Sequence, residues 1–199
     1  MKKLMIAVLG VLLFAPVAFA DNWGLGLKLG YGENDPKSLK ALNGPGTELD
    51  ENGAYFGVEA MYEWNLDDLN KIGARVGVDS YGENEIKGAG AKIVEETYAF
   101  PFTVYYKRDN GVQNWSWLGG VGFTIVNTKI DETSWLVTGD EHKTKIFPHI
   151  VVGGEYRFTE VFALGLEARY NIGAKVKKDG AVFSDRSGFG AALTGRFYF

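Results

Sequence analysis

Serine, histidine and acidic side chains come first, because nucleophilic and metal chemistry would need them. The 199-residue chain has two histidines, His142 and His149, and no cysteine. A hydrolytic triad requires Ser, His and an acid within hydrogen-bond reach. Ser134 and His142 share a stretch with Asp131 and Asp140, but their spacing is that of ordinary loop residues. Ser116 and His149 belong toward opposite ends of their segments, so they should not meet. A lone His without a second His or a thiolate is a weak metal ligand. Two acidic runs, Glu33, Asp35, Glu48, Asp50 and Glu51, then Asp131, Glu132, Asp140 and Glu141, could face a divalent cation. They lack the strict spacing of a calcium loop and read as solvated surface. The Gly-x-Gly repeats at 24–30 alternate with Leu and precede no helix, so they make no phosphate loop. The expectation is no catalytic residue, no cofactor and no metal.

Composition narrows the class. Without cysteine there is no disulfide framework and no thiolate site. The formal charge is -4, which argues against a nucleic-acid partner, since that needs a basic surface. Mean hydropathy is -0.10, too low for a bundle of membrane helices. At the N-terminus Lys2 and Lys3 precede an apolar run from Leu4 to Phe14, and Ala18-Phe19-Ala20 supplies small residues for cleavage. This is the pattern of a secretory signal peptide over 1–20. Its removal would leave 19 Lys+Arg against 25 Asp+Glu, a charge of -6, and a single domain over 21–199.

What must position any site is a series of alternating segments. Period-2 alternation recurs over 22–32, 53–64, 71–80, 93–106, 115–126, 145–158, 162–173 and 188–199, the mark of strands with two unlike faces. Every segment reaches the ~9–11 residues that a tilted transmembrane strand needs. Connections alternate between long (33–52, 81–92, 127–144, 174–187) and short (65–70, 107–114, 159–161). The fold class expected is all-β: an eight-stranded antiparallel transmembrane up-and-down β-barrel, with both termini on the short-turn, periplasmic side.

One face carries Trp23, Leu25, Phe100, Phe102, Phe123, Leu164 and Leu193, with almost no charge in the strands. The other carries Lys28, Arg75, Arg157, Arg169 and Arg196, with Glu59, Glu63, Asp79, Glu155 and Glu167, among many glycines. A crowded interior needs small residues beside paired large ones, and a charge facing lipid costs ~2–4 kcal/mol. The charged face is therefore expected inside, as a cross-lumen network. Within it Glu59 or Glu63 should reach Arg75. Glu155 and Glu167 should reach Arg157 or Arg169, and Arg196 should find a carboxylate near Glu167 or Lys28. Trp23, Trp64, Trp115 and Trp117 fall at one rim, as an interfacial girdle would. Trp135 lies in a long loop, as a packed anchor or a partner contact. Pro101 and Pro148 lie inside strands, where a bulge or an unpaired position is expected. Lys175, Lys177 and Lys178 open the fourth long loop, where they could meet lipopolysaccharide phosphates or simply be solvated.

With those features together, the chain resembles the small eight-stranded outer-membrane β-barrel proteins of the OmpA/OmpX and opacity-protein type. The most specific element is the terminal Gly195-Arg196-Phe197-Tyr198-Phe199. Members of that family typically end on an aromatic after alternating hydrophobics. The resemblance implies that Phe197 and Phe199 form a signal read by the barrel-assembly machinery. It implies outer-membrane lipids and lipopolysaccharide as surroundings, and a monomer. Its functional implication is a non-enzymatic barrel with a structural or surface-interaction role. Two alternatives stay open: a narrow channel for small solutes, which lumen glycines permit, and a lipid-modifying enzyme, for which no site is visible.

Overall fold

The computed structural model describes residues 22–32, 47–50, 53–88, 91–111, 114–134, 138–178 and 181–199, without the side chains of 47–50, 86, 88, 91, 132–134, 138–141, 176–178 and 181–184. The signal-peptide segment, Trp135 and the acids at 33, 35 and 51 lie outside the described residues. So do the side chains of Glu48, Asp50, Glu132, Ser134, Asp140, Glu141, Lys177 and Lys178. The strands are β1 (Trp23–Gly32), β2 (Thr47–Asp50), β3 (Ala54–Asn65), β4 (Asn70–Tyr81), β5 (Asn84–Gly88), β6 (Ala91–Asp109), β7 (Trp115–Ser134), β8 (Thr138–Arg157), β9 (Phe162–Asn171), β10 (Lys175–Lys178), β11 (Ala181–Asp185) and β12 (Gly188–Tyr198).

Eight of them form a closed antiparallel ring, β1-β3-β4-β6-β7-β8-β9-β12. The order follows the chain, so the barrel is an up-and-down meander. It closes where β12 pairs with β1, from Gly24↔Tyr198 to Gly32↔Gly190. Beyond the register, the Phe199 N–H donates to the Trp23 carbonyl at 2.9 Å. Closure leaves no edge within the ring, which the hydrocarbon layer demands of any strand structure.

The barrel is inside-out by the standard of a soluble protein. Val121 is 63% exposed and Leu166 65%, whereas Asp79 is 0% and Arg196 2% exposed. Side chains alternate strictly along each wall, and the long charged ones need room. Glycines on the inward face supply it. A Cβ at Gly26 would lie 2.6 Å from the Glu59 Cγ, and one at Gly153 would lie 2.9 Å from the Glu167 Cγ.

All four long connections contain strand pairing that differs from the sequence expectation. The stretch 127–144 is not an open loop, because β7 and β8 stay paired out to Thr133↔Thr138. Asn127, Lys129 and Asp131 keep alternating with the buried Val126, Thr128 and Ile130, and no Pro breaks the run. In 81–92, β5 folds back on β6, and β2 from the first long connection pairs with β5. In the fourth, β10 and β11 form a hairpin with a register shift between Val176 and Lys177.

The two prolines are accommodated without a bulge. On the β4 side of Pro101 the ladder skips from Val76↔Phe102 to Asp79↔Ala99 in unchanged register, leaving a locally unpaired stretch. Pro148 lies just past the end of β9. Its carbonyl accepts from the Ile172 N–H at 3.0 Å, so the edge that lacks its N–H faces no continuing strand.

The short turns are tied by their own side chains. Asp67 Oδ1 accepts from the backbone N–H of Leu69 at 2.9 Å and of Asn70 at 2.8 Å, and from the Asn70 side chain at 2.8 Å. The Asn70 side-chain bond, with the Leu69 N–H, holds this exposed carboxyl below the usual range. Such a depressed group favours the turn above the ordinary carboxylate pKa, a contribution lost as acid protonates it.

Candidate functional site

The inward side chains form a stack of buried ion pairs that crosses the lumen. The ring order sets β4 opposite β9. Two pairs span that diameter: Arg75 Nη1 to Glu167 Oε1 at 2.6 Å, and Arg169 Nη1 to Asp79 Oδ2 at 2.9 Å. Arg75 also lies 3.5 Å from Glu59. Lys28 bridges Glu59 at 3.4 Å and Asp79 at 2.9 Å. Arg196, on β12, is the hub. Its Nε donates to Glu59 at 3.0 Å, its Nη1 to Glu155 at 3.0 Å, and its Nη2 to Glu167. One guanidinium thereby ties β3, β8 and β9 together. Its planar fork of five donors suits three carboxylates where an ammonium would not.

Toward the short turns, Lys107 joins Glu63 at 3.1 Å and pairs with Glu155. The Lys107 ammonium also donates to the Tyr198 hydroxyl at 3.1 Å, and that hydroxyl donates to Glu155 at 2.9 Å. Tyr105 donates to Glu63 at 3.0 Å. Toward the long connections, Arg186 reaches across the mouth to β6, with Nη2 3.0 Å from Glu95 Oε1 and 2.7 Å from Thr97 Oγ1. The Arg186 guanidinium lies over the Tyr81 ring, 4.8 Å from its centre. An apolar layer containing Tyr55, Tyr81, Ala99, Val126 and Phe147 adjoins it.

Several pairings differ from the sequence expectation. Glu155 and Glu167 do not reach Arg157 or Arg169. Glu155 takes Lys107 and Arg196, Glu167 takes Arg75 and Arg196, and Arg169 takes Asp79. Neighbouring strands bring these groups side by side, but long arginines gain more by reaching across a narrow lumen to unpaired acids. Arg157 makes no carboxylate pair among the described residues. It rests on the Tyr198 ring, 4.7 Å from its centre. Of the two acids expected to reach Arg75, Glu59 does so, while Glu63 pairs with Lys107 and Lys71. Lys107, Arg186 and Glu95 were missed. Lys107 was legible, since the odd positions of β6 face inward through Thr103 and Tyr105. Arg186 follows a hairpin whose fold the alternation does not reveal.

Ser116 and His149 stay apart. His149 is buried between Thr103, 3.0 Å from its Nε2, and Thr124, 2.9 Å from its Nδ1. Ser116 donates to Asp109 at 2.6 Å near the other end of the barrel. Among the described residues no group of three or more His, Asp or Glu side chains is placed to hold a metal ion. Within the charged layers lies a cavity of about 20 Å³ beside Lys28, Glu59, Arg75, Glu167 and Arg169, room for about one water molecule.

Outside, aromatics run around the short-turn rim. Trp64 packs edge-on to Tyr62 at 4.7 Å, and Tyr62 packs to Trp23 at 5.1 Å. Phe197 meets Phe162 at 5.1 Å, Phe162 meets Phe158 at 6.1 Å, and Phe158 meets Tyr156 at 4.9 Å. Tyr156 meets Trp115 at 5.1 Å, and Trp117 meets Tyr106 at 5.8 Å. Phe199, half exposed, ends the closing strand at the same rim. Lys175 is at the opposite end, exposed, with Asp185 3.8 Å away.

The hub makes a measurable difference between two arginines. Arg196→Met takes a shared cation from three buried carboxylates, each left with fewer partners, and should cost about 3–5 kcal/mol in urea unfolding from lipid vesicles. Arg157→Met loses a cation–π contact and should cost about 1 kcal/mol or less. Equal costs would contradict the assignment of Arg196 as hub.

Comparison with known proteins agrees with this geometry. Among solved structures the fold is similar to Ail, the attachment invasion locus protein of Yersinia pestis, at 13% identity over 89% of this chain and 98% of that one, with a TM-score of 0.52. A second Ail structure, in complex with the heparin analogue sucrose octasulfate, gives 13% identity, the same coverage and a TM-score of 0.53. Neisserial surface protein A gives 13% identity over 89% of this chain and 97% of that one, with a TM-score of 0.54. At such identities the likeness is one of fold. No curated protein matches the sequence. The model of the outer membrane protein beta-barrel domain matches residues 5–197, and the chain therefore belongs to that family of outer-membrane barrels.

Proposed function

We propose that this outer-membrane barrel is a closed, non-enzymatic surface protein whose lumen carries structure and whose long-connection end carries interaction. The observation that supports it most is the pair of diametric bridges, Arg75–Glu167 and Arg169–Asp79, around the Arg196 hub. Eight strands enclose little more than their own side chains. Ion pairs across the full diameter leave no continuous solute path.

In this reading the short-turn end, with both termini of the barrel, faces the periplasm after removal of the 1–20 signal peptide. The aromatic rim then sits at the inner headgroup level, with Trp23, Trp64, Trp115 and Trp117 in the girdle. The long-connection end faces outward. There β8 stays paired with β7 out to Thr138, although β9 joins β8 only as far as His149↔Asn171. Together with β5 and β2 on the β6 side, this makes a five-stranded sheet that rises beyond the rest of the ring. A paired, projecting sheet suits contact with another surface better than catalysis. Lys175, with Lys177 and Lys178 next in sequence, opens the connection beside it, where lipopolysaccharide phosphates supply complementary charge. The attachment recorded in the name of Ail is in keeping with this reading.

Planar-bilayer recording tests it. The purified barrel should show no sustained openings at neutral pH. Steady small conductance in the intact protein would overturn the closed reading and favour a narrow channel. Phe197 and Phe199 fit a terminal signal for the barrel-assembly machinery. Deleting Phe199 should lower outer-membrane yield in cells while leaving refolding into detergent intact, and an unchanged yield would remove that role.

A further inference from the structure

The outer wall at the β6–β7 turn carries a groove that the closed-barrel reading does not use. Its volume is about 590 Å³, and its lining includes Leu69, Arg108, Asn110, Trp115, Trp117 and Gly154. That falls within the ~300–1,000 Å³ of small-molecule sites. Three features of the groove point to one kind of occupant.

The first is a cation on the lipid side. Arg108 is exposed and shares the outward parity of Phe102, Val104 and Tyr106. It pairs in register with Trp117. Among the described residues no carboxylate lies within ion-pair distance of it. Asp109 is directed elsewhere, to Ser116 at 2.6 Å and Lys71 at 3.5 Å. Asp67 feels the Arg108 charge, but Asn70 and the Leu69 N–H occupy its carboxylate.

The second is the aromatic frame. Trp115 and Trp117 are both about half exposed, and Trp117 is backed by the Tyr106 ring at 5.8 Å. Such rings settle at the headgroup level, where a glycerol backbone lies.

The third is a bare strip of wall above them. Trp117 faces Gly154 across the β7–β8 ladder, and Gly119 faces Val152. A Cβ at Gly119 would meet nothing within 4 Å, and one at Gly154 would meet only the Ser116 carbonyl at 3.5 Å. The wall is hollow where most outward positions of the barrel carry large side chains, and an acyl chain fits that hollow.

We infer that this groove is a binding site for one anionic glycerophospholipid, with its phosphodiester on Arg108, its glycerol between Trp115 and Trp117, and an acyl chain along Gly119 and Gly154. A net negative headgroup is favoured over a zwitterionic one because, among the described residues, no carboxylate lies close enough to the guanidinium to form an ion pair, Asp67 and Asp109 being held by other partners. The choice of inner-leaflet lipid rests on the periplasmic placement of the short-turn end. Binding in detergent does not depend on that placement, so the two can fail separately.

Native mass spectrometry of the full barrel, released from micelles containing phosphatidylglycerol, tests the site. The wild type should retain one lipid. Arg108→Gln and Gly154→Leu should each lower retention about tenfold, the scale of one charge-assisted hydrogen bond. Lys145→Gln, an exposed cation toward the other end of the barrel, should leave retention unchanged. Heat-modifiable gel mobility, kept in all variants, shows that each has folded. Equal retention by the wild type, Arg108→Gln and Gly154→Leu would overturn the site. Stronger retention of lipid A than of phosphatidylglycerol would overturn the occupant.

Discussion

A charge inside a narrow barrel must find an opposite charge, and in this protein that requirement governs the wall as well as the core. Ionised groups cannot leave water without a partner at a cost of several kcal/mol each. An eight-stranded ring has no spare volume in which to keep them hydrated. The resolution is a stack in which four cations each touch more than one acid: Lys28 with Glu59 and Asp79, Arg75 with Glu59 and Glu167, Lys107 with Glu63 and Glu155, Arg196 with three carboxylates. Pairs of this kind do little for stability against an apolar core of equal volume. They are costly to break, which makes them specific.

Other features follow from that stack. Glycines such as Gly26 and Gly153 stand where neighbouring glutamates need space. Tyrosines 105 and 198 complete the bonding of Glu63 and Glu155 with hydroxyls. The outer face is free to be apolar because the polar side chains are turned inward, and the closed ladder satisfies the backbone without water. Where the ring rises beyond β9, Arg186 continues the stack across the mouth. The sheet of β2, β5, β6, β7 and β8 extends past it.

Much of this is legible in the sequence. Strict alternation placed Val121 and Leu166 outward and Asp79 and Arg196 inward, because a period of two leaves a side chain no third direction. The closing of β12 on β1 followed from an even count of alternating segments. The pairing scheme was less legible. Sequence gives the neighbours along a ladder, but the reach of an arginine across the lumen depends on barrel diameter and strand stagger. Arg169 therefore takes an acid on the far wall, and Arg75 takes one there as well as Glu59 on the adjacent strand. Arg186 lies in the stretch 174–187 that reads as a loop, whereas Glu95 lies within the alternating segment 93–106, whose first residues carry too few apolar side chains to mark an inward face. The groove at Arg108 was invisible because a lone charge at a strand end has no pattern.

The central claim is that the Arg75 and Arg196 guanidinium groups are locked between carboxylates in a dry lumen. Nitrogen-15 NMR of the arginine side chains in the refolded barrel measures this directly. Locked groups should give separate Nε and Nη signals whose protons exchange far more slowly than those of free arginine. Exchange at the rate of free arginine would mean a water-filled lumen and would contradict the account.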